Sequence, residues 1–202
     1  MSFRKEKKFR LTINEFYSMK NLLIENGMTK LYGARKVNSI YFDTLSYDMF
    51  SQSEEGVLPR KKIRIRWYEG INRLQLEKKI SSVEGRFKTT DKYNLYSNTK
   101  EIFKSTLFDK DYGAIHPTLK VSYNREYYML NKMRITLDSN INYNNITLDP
   151  LLDYKDPERV VEIKTAINCS DDFIEKYIPY QVSRFSKYSR GLLISQKNLS
   201  EF

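Results

Sequence analysis

Lys62, Arg64 and Arg66 stand at every second residue of Lys61-Lys62-Ile63-Arg64-Ile65-Arg66-Trp67-Tyr68, with Ile63, Ile65 and Trp67 between and after them. In a β-strand this period puts the cations on one face and the apolar residues on the other. A row of lysine and arginine is chemistry for anions, above all phosphate, whose oxygens a guanidinium grips two at a time. A strand with its basic side in water would show the same pattern, so the weight falls on whether other stretches repeat it.

They do. Arg73 to Ile80 reads as the hairpin partner after Gly70-Ile71-Asn72, with Gln75, Glu77 and Lys79 on one side and Leu74 and Leu76 on the other. A glutamate across from arginines would hold them by ion pairing. Glu84 to Thr89 is a shorter strand with Arg86 and Lys88 in register. On Pro117 to Leu130, Arg125 shares parity with Leu119, Val121, Tyr123 and Tyr127, so its guanidinium needs a carboxylate or a phosphate. Asn131-Lys132 turns the chain into Met133 to Ser139, where Arg134, Thr136 and Asp138 oppose Met133, Ile135 and Leu137. Arg159 to Thr165 sets Val160, Glu162 and Lys164 against Val161 and Ile163. Glu162 is the best metal candidate, because a carboxylate in a field of cations either neutralises them or carries another one. Phe3 to Leu11 puts Arg4, Glu6 and Lys8 on one face, a row that also suits a lysine-rich edge strand. Ser183 to Gly191 packs three cations and three serine hydroxyls into one segment, a basic surface loop or a phosphate contact.

The elements around these rows follow from local signals. Thr12 and Glu15 form a capping box, and Phe16, Met19, Leu22 and Leu23 make an apolar helical stripe that Gly27 ends. Val37 to Thr44 is a strand whose Asp43 reads as a turn former rather than a ligand, running into a helical turn through Tyr47 and Phe50. Gly56 to Pro59 is the loop before the cation strand. A supporting helix starts near Asn98 and carries Phe103 and Leu107. Ser170 caps another through Phe173 and Tyr177, ended by Pro179. About eight strands and four helices result. We expect an α+β, mainly β, single domain over residues 1–202. Its form would be a closed eight-stranded antiparallel barrel with a polar interior and helices covering an apolar exterior, in preference to a sandwich.

A net charge of +10 and a pI near 9.4 imply an anionic partner: nucleic acid, an acidic membrane or a polyphosphorylated small molecule. The single cysteine, Cys169, excludes an internal disulfide, and the single histidine, His116, excludes a multi-histidine metal site. The N-terminus has no apolar leader, and Leu192-Leu193-Ile194 is far too short to span a bilayer, so the expectation is a soluble, cytoplasmic chain.

Arg4-x-Glu6-x-Lys8, Ser39-Ile40-Tyr41-Phe42-Asp43-Thr44, Lys62-Ile63-Arg64-Ile65-Arg66, Leu76-Glu77-Lys78-Lys79, Tyr123-Asn124-Arg125, Arg134-Ile135-Thr136-Leu137-Asp138, Val161-Glu162-Ile163-Lys164 and Ser186-Lys187-Tyr188 occur here in that order. In this order they resemble the VTC domain, the polyphosphate polymerase module of the vacuolar transporter chaperone complex, over nearly the whole chain. That domain belongs to the triphosphate tunnel metalloenzymes, which include the CYTH-like proteins. The resemblance implies a basic tunnel in which the γ-phosphoryl group of a nucleoside triphosphate, expected to be ATP, passes to a growing polyphosphate chain. It implies that Lys8, Arg64, Arg66, Lys79, Arg125, Arg134 and Lys187 do the catalytic gripping of phosphate. Lys88, Tyr123, Lys164, Glu6 and Ser186 would bind substrate, with Tyr123 as a hydrogen-bond donor, and Glu162 would hold Mn²⁺ or Mg²⁺.

CYTH-type relatives that hydrolyse triphosphates or make cyclic AMP resemble one another in an N-terminal Glu-x-Glu-x-Lys, and here Arg4 replaces the first carboxylate. Polymerase is therefore preferred to triphosphatase. A nonenzymatic RNA- or polyphosphate-binding module comes third, because Glu77 and Glu162 sit among the cations. The expected partners are a nucleoside triphosphate and polyphosphate, not nucleic acid. The chain carries no membrane segment, and recruitment would fall to an unidentified partner protein.

Overall fold

The computed structural model describes residues 4–199 apart from 72, 84 and 93–98. In chain order its elements are β1 Arg4–Leu11, α1 Ile13–Glu25, β2 Thr29–Asp43, α2 Asp48–Glu55, β3 Arg60–Tyr68, β4 Gln75–Ser82, β5 Gly85–Lys92 and α3 Thr99–Ile102. There follow β6 Leu107–Asp109, β7 Gly113–Leu130, β8 Met133–Asn145, β9 Asp153–Lys155, β10 Arg159–Ala166, α4 Asp171–Tyr177 and α5 Lys187–Leu199. The chain forms two compact units: residues 1–36, 123–141 and 155–185, and residues 37–122, 142–154 and 186–202. The long strands β2, β7 and β8 contribute to both, so neither unit is a single stretch of sequence.

In the first unit β1, β10 and β8 pair antiparallel, with Lys8 opposite Glu162 and Glu162 opposite Thr136, then Glu6 opposite Lys164 and Lys164 opposite Arg134. Directly opposed residues share a face, so one side of these strands is charged. The other side presents Phe9, Leu11, Ile135, Leu137, Val161 and Ile163 to Phe16, Met19 and Leu23 of α1 and Ile174 of α4. Each such side chain stabilises the fold by roughly 2 kcal/mol on burial. The expected capping box is present: Glu15 N–H donates to Thr12 Oγ1 at 3.3 Å, and Thr12 N–H to Glu15 Oε2 at 2.8 Å. Gly27, at φ 91°, supplies the left-handed residue past the helix end. Asn131 and Lys132, at φ 46° and 65°, make the turn between β7 and β8.

The second unit repeats this logic on β2, β3, β4 and β5. Tyr41 is opposite Arg64, Arg64 opposite Glu77 and Glu77 opposite Thr90, while Ile40, Phe42, Ile63 and Ile65 bury their side chains against Met49 of α2, Ile102 of α3 and Ile115 of β7.

Several boundaries differ from the sequence expectation. β2 begins eight residues before Val37, because residues 29–36 are mostly exposed and show no apolar alternation. β8 runs on past Asn140, whose positive φ of 50° breaks the period of two. The helix expected from Asn98 is the four-residue α3, and Leu107 lies on β6; Asn98 itself, like Glu84 and Asn72, falls outside the described residues.

Closure is a larger correction. The strand path is β1-β10-β8-β7-β2-β3-β4-β5, with β6 and β9 off it on β7 and β8, and no pairing joins β1 to β5 among the described residues. The eight antiparallel strands are thus an open path rather than a closed barrel. Of the two end strands, one carries Lys5, Lys7, Lys8 and Arg10 and the other carries Lys88; lysine on an end strand is a device that keeps exposed edges from pairing.

Helix α5 is the second correction. It begins at Lys187, inside the segment read as a basic surface loop or a phosphate contact, and it lies on the charged side of the strands, not the apolar one. Lys62 Nζ, on the side of β3 away from Ile63, donates to Ser186 Oγ at 2.7 Å, and the ring of Tyr188 stacks on Tyr41 at 5.0 Å. Gly191 lets this helix come close, since a Cβ there would sit 2.5 Å from Tyr143 Cδ1 and 2.6 Å from Leu119 Cδ2. Gly191→Ala, which would raise helix propensity at an open site, is expected here to destabilise the protein by about 1–3 kcal/mol in urea unfolding.

Candidate active site

In the second unit one carboxylate organises three cations. Arg64 donates to Glu77 Oε2 from Nε at 2.7 Å and lies 2.6 Å away through Nη2, Arg66 Nη1 is 3.6 Å from the same oxygen, and Lys88 Nζ donates to Oε1 at 2.5 Å. Glu77 is only 4% exposed. Burial by itself would raise its carboxyl, but the Arg64 and Arg66 charges and the Lys88 ammonium outweigh it and hold the group at about 2. Lys88, whose side chain is half exposed, is pushed below the ordinary lysine value by burial and by Arg64 and Arg66, against the pull of Glu77. Lys62, Lys79 and Lys88 stand directly opposite one another across β3, β4 and β5. Like charges in register are unfavourable without an anion to share. Ser186 Oγ accepts hydrogen bonds from Lys62 Nζ and, at 3.4 Å, from the N–H of Ser189, capping α5 just ahead of Lys187.

The first unit holds the remaining predicted residues on the charged face of β1, β10, β8 and β7. Arg125 makes the two-pronged pair its burial demanded: Nε donates to Asp138 Oδ1 at 2.6 Å and Nη2 to Oδ2 at 2.7 Å, with the guanidinium 5.1 Å from the Tyr123 ring centre. Burial opposes its charge, but Asp138 raises it well above the usual value. Lys164 Nζ lies 2.8 Å from Glu162 Oε1, and Lys8 Nζ lies 3.3 Å from Glu6 Oε1 while donating to the carbonyl of Phe185 at 3.0 Å. Burial would protonate Glu162; Lys164, Arg125 and Lys8 together hold it well below the carboxylate range. Arg134 rests over the Tyr127 ring at 5.9 Å, and its Nε is buried with no acceptor among the described residues. A buried donor on a cation without an acceptor is costly, and an anionic oxygen is the group that would satisfy it.

The residues singled out from sequence thus fall into two groups. Glu6, Lys8, Tyr123, Arg125, Arg134, Glu162 and Lys164 share one unit; Arg64, Arg66, Lys79, Lys88, Ser186 and Lys187 share the other. The side chains of Arg4 and Arg86 lie outside the described residues. Three participants escaped the sequence reading. Asp138 was placed on a face but not matched to Arg125, Lys62 was seen as a cation without its Ser186 partner, and Tyr41, whose hydroxyl accepts from Arg64 Nη1 at 2.7 Å, was only part of a motif. Asp43, expected as a turn former at the strand end, accepts from the backbone N–H of Thr44 and of Met49 and Phe50 at the start of α2.

The donor set for a metal is sparse. Among the described residues no three histidine, cysteine, aspartate or glutamate side chains come together to cage an ion. Glu162 stays ionised, and Glu6 lies diagonally across on the same face. This suits a hard divalent cation that takes one or two protein carboxylates and its other oxygens from a phosphate ligand.

The family model of the VTC domain matches residues 3–195. The chain belongs to the VTC domain family. No curated protein matches it. Among solved structures this VTC domain is similar to a putative adenylate cyclase of Bacillus halodurans, at 14% identity and a TM-score of 0.62, with 94% of this chain and 97% of that one covered. It is also similar to a conserved hypothetical protein of Pyrococcus furiosus, at 14% identity and 0.56, with 92% and 98% covered. A third is a putative adenylyl cyclase of Hippeastrum, described as having a dominant triphosphatase activity, at 17% identity and 0.54, with 91% and 92% covered. At these identities the likeness shows a shared fold and no more.

The low value at Glu77 makes stability depend on pH. Its folded value, about 2, lies below the ordinary 4.5, so its stabilising pairing is complete above pH 4.5 and is lost as the pH falls through 2. Glu77→Gln removes that dependence. Between pH 4.5 and 2 the wild type is expected to lose about 2–4 kcal/mol more unfolding free energy than the variant, read by denaturant titration at each pH. Asp171, also near 2, titrates alike in both proteins and cancels.

Proposed function

We propose that this VTC domain is a polyphosphate polymerase that moves the γ-phosphoryl group of ATP onto the end of an inorganic polyphosphate chain. The observation that carries the reading is the family match over residues 3–195, together with rows of cations that keep buried central carboxylates ionised. In the reaction a terminal oxygen of the chain attacks the γ-phosphorus, the bond from that phosphorus to the β–γ bridging oxygen breaks, and ADP leaves with the electron pair. The attacking oxygen is already ionised, so no general base is needed. The work left to the protein is alignment and stabilisation of charge spreading over the equatorial oxygens.

Arg64, Arg66, Lys79, Lys88 and Lys187 in one unit, and Lys8, Arg125, Arg134 and Lys164 in the other, are assigned to phosphate oxygens. Ser186 and Tyr123 serve as hydrogen-bond partners in the same assignment. Glu77 and Asp138 hold their arginines in fixed orientations, so little reorganisation accompanies binding. Glu162, with Glu6, would hold Mn²⁺ or Mg²⁺ in company with the substrate. When bound, such an ion neutralises phosphoryl oxygens. The chain is read as a single functional domain. No helix among the described residues is long and apolar enough to cross a membrane.

Triphosphate hydrolysis is the second reading, favoured by the activity described for the Hippeastrum protein. Water, unlike a phosphate end, must be deprotonated, and Arg4 stands where a further carboxylate would help. Incubating the pure protein with ATP and Mn²⁺, with and without a short polyphosphate primer, separates the two. Chains lengthening on a gel support the polymerase, and orthophosphate alone supports the hydrolase. Neither product, with tight RNA binding, would remove both. Glu162→Ala and Glu162→Gln are expected to cut turnover at least a hundredfold with the melting temperature little changed. Undiminished turnover would remove Glu162 from the site.

A further inference from the structure

The hydroxyl of Tyr41 stands in the middle of the second unit's cations and has a proton it does not use. Tyr41 is opposite Arg64 in the β2–β3 register, and its oxygen accepts from Arg64 Nη1 at 2.7 Å, with the Arg64 guanidinium 5.5 Å from the ring centre. An oxygen that accepts from a guanidinium keeps its own O–H for a second bond. No acceptor takes that proton among the described residues. The side chains along the same face, Lys62, Arg64 and Arg66, bring donors, and the Glu77 oxygens are taken by Arg64, Arg66 and Lys88. Tyr41 is only 7% exposed, so bulk water is a poor substitute.

The ring is also held more firmly than core packing requires. Tyr188, in the first turn of α5, stacks on it with centres 5.0 Å apart and planes 18° apart. Tyr188 is itself fixed, donating its hydroxyl to Asp43 Oδ2 at 2.6 Å. Asp43 in turn is tied to the start of α2 through the N–H groups of Met49 and Phe50. A chain of contacts therefore runs from Asp43 through Tyr188 and Tyr41 to Arg64. Two helices and a strand fix where one hydroxyl points.

We infer that Tyr41 is a substrate-contacting residue whose hydroxyl donates to a non-bridging oxygen of a bound triphosphate or polyphosphate, and that Tyr188 and Asp43 are its positioning residues. This rests on the reading of the cation rows as a phosphate site. The donor is neutral, so it adds direction without adding charge. An arginine fixes where negative charge collects; the hydroxyl fixes which oxygen faces the row. Asp43 and Tyr188 touch no ligand and act only through the Tyr41 ring.

Calorimetric binding of inorganic tripolyphosphate, run beside thermal melting, tests this on the full chain. Tyr41→Phe keeps the ring and its stacking and loses only the hydroxyl. It is expected to bind tripolyphosphate about five- to twentyfold more weakly while melting within a few degrees of the wild type. Tyr188→Phe, which keeps the stack but frees the ring from Asp43, should weaken binding by a smaller factor. Adding Tyr41→Phe to it should then cost less than Tyr41→Phe does alone. Arg66→Ala serves as the control. If Arg66→Ala weakens binding and Tyr41→Phe binds like the wild type, the role of Tyr41 is overturned and the phosphate site stands. If the wild type itself fails to bind tripolyphosphate, the phosphate site falls and this inference falls with it.

Discussion

The charged faces depend on buried carboxylates that fix cations in place, outnumbered by them at Glu77 and matched at Asp138. Glu77 is the clearest case. Arg64, Arg66 and Lys88 converge on its two oxygens, which is more positive charge than one carboxylate can balance, and Lys62 and Lys79 stand in register beside them. The carboxylate fixes the geometry of its arginines and leaves their excess charge in place. A protein that needed only a stable strand would have matched charge for charge or used threonine. The strands tolerate this crowding because their opposite face buries Ile63, Ile65 and Phe42.

The first unit solves the same problem differently. Arg125 is fully matched by Asp138 in a two-pronged pair, so its charge is balanced locally and its role is to be rigid. Arg134 has an aromatic ring beneath it and a buried Nε with no acceptor among the described residues. Glu162 lies between these extremes, ionised by Lys164, Arg125 and Lys8 rather than by solvent. A carboxylate kept ionised in so basic a setting can accept a further cation. That is why it suits a metal which brings phosphate with it better than one caged by protein alone.

Much of this was legible because a period of two is simple. The parity of Lys62, Arg64 and Arg66, of Gln75, Glu77 and Lys79, and of Glu162 and Lys164 could be read directly, and the pairings honour it. Asp138 could have been matched to Arg125 by counting: a two-residue turn at Asn131-Lys132 puts Leu130 against Met133, and five steps further Arg125 against Asp138. The first half of β2 was invisible because its exposed residues carry no apolar rhythm, and the length of β8 because Asn140 interrupts one. Helix α5 was hidden by its composition. Hydroxyls, cations and Gly191 look like a loop until Leu119 and Tyr143 are there to meet them. Closure is not a property of any local pattern. Eight alternating strands are compatible with an open path or a closed one, and only the pairing of the end strands decides.

The placement of α5 changes how the charged face should be understood. A helix lying on that side, with Tyr188 stacked on Tyr41 and Ser186 receiving Lys62, occupies space that a purely solvated face would leave to water. Water screens charge, and its removal strengthens whatever electrostatic contacts remain. The same helix brings Lys187 in its first residue and Asp43's partner in its second, so it excludes solvent and adds a cation in a single turn. Gly191 is what permits that approach, since any side chain there would push α5 away from β7 and β8. A glycine with no chemistry of its own therefore fixes how closely this helix lies on the charged face.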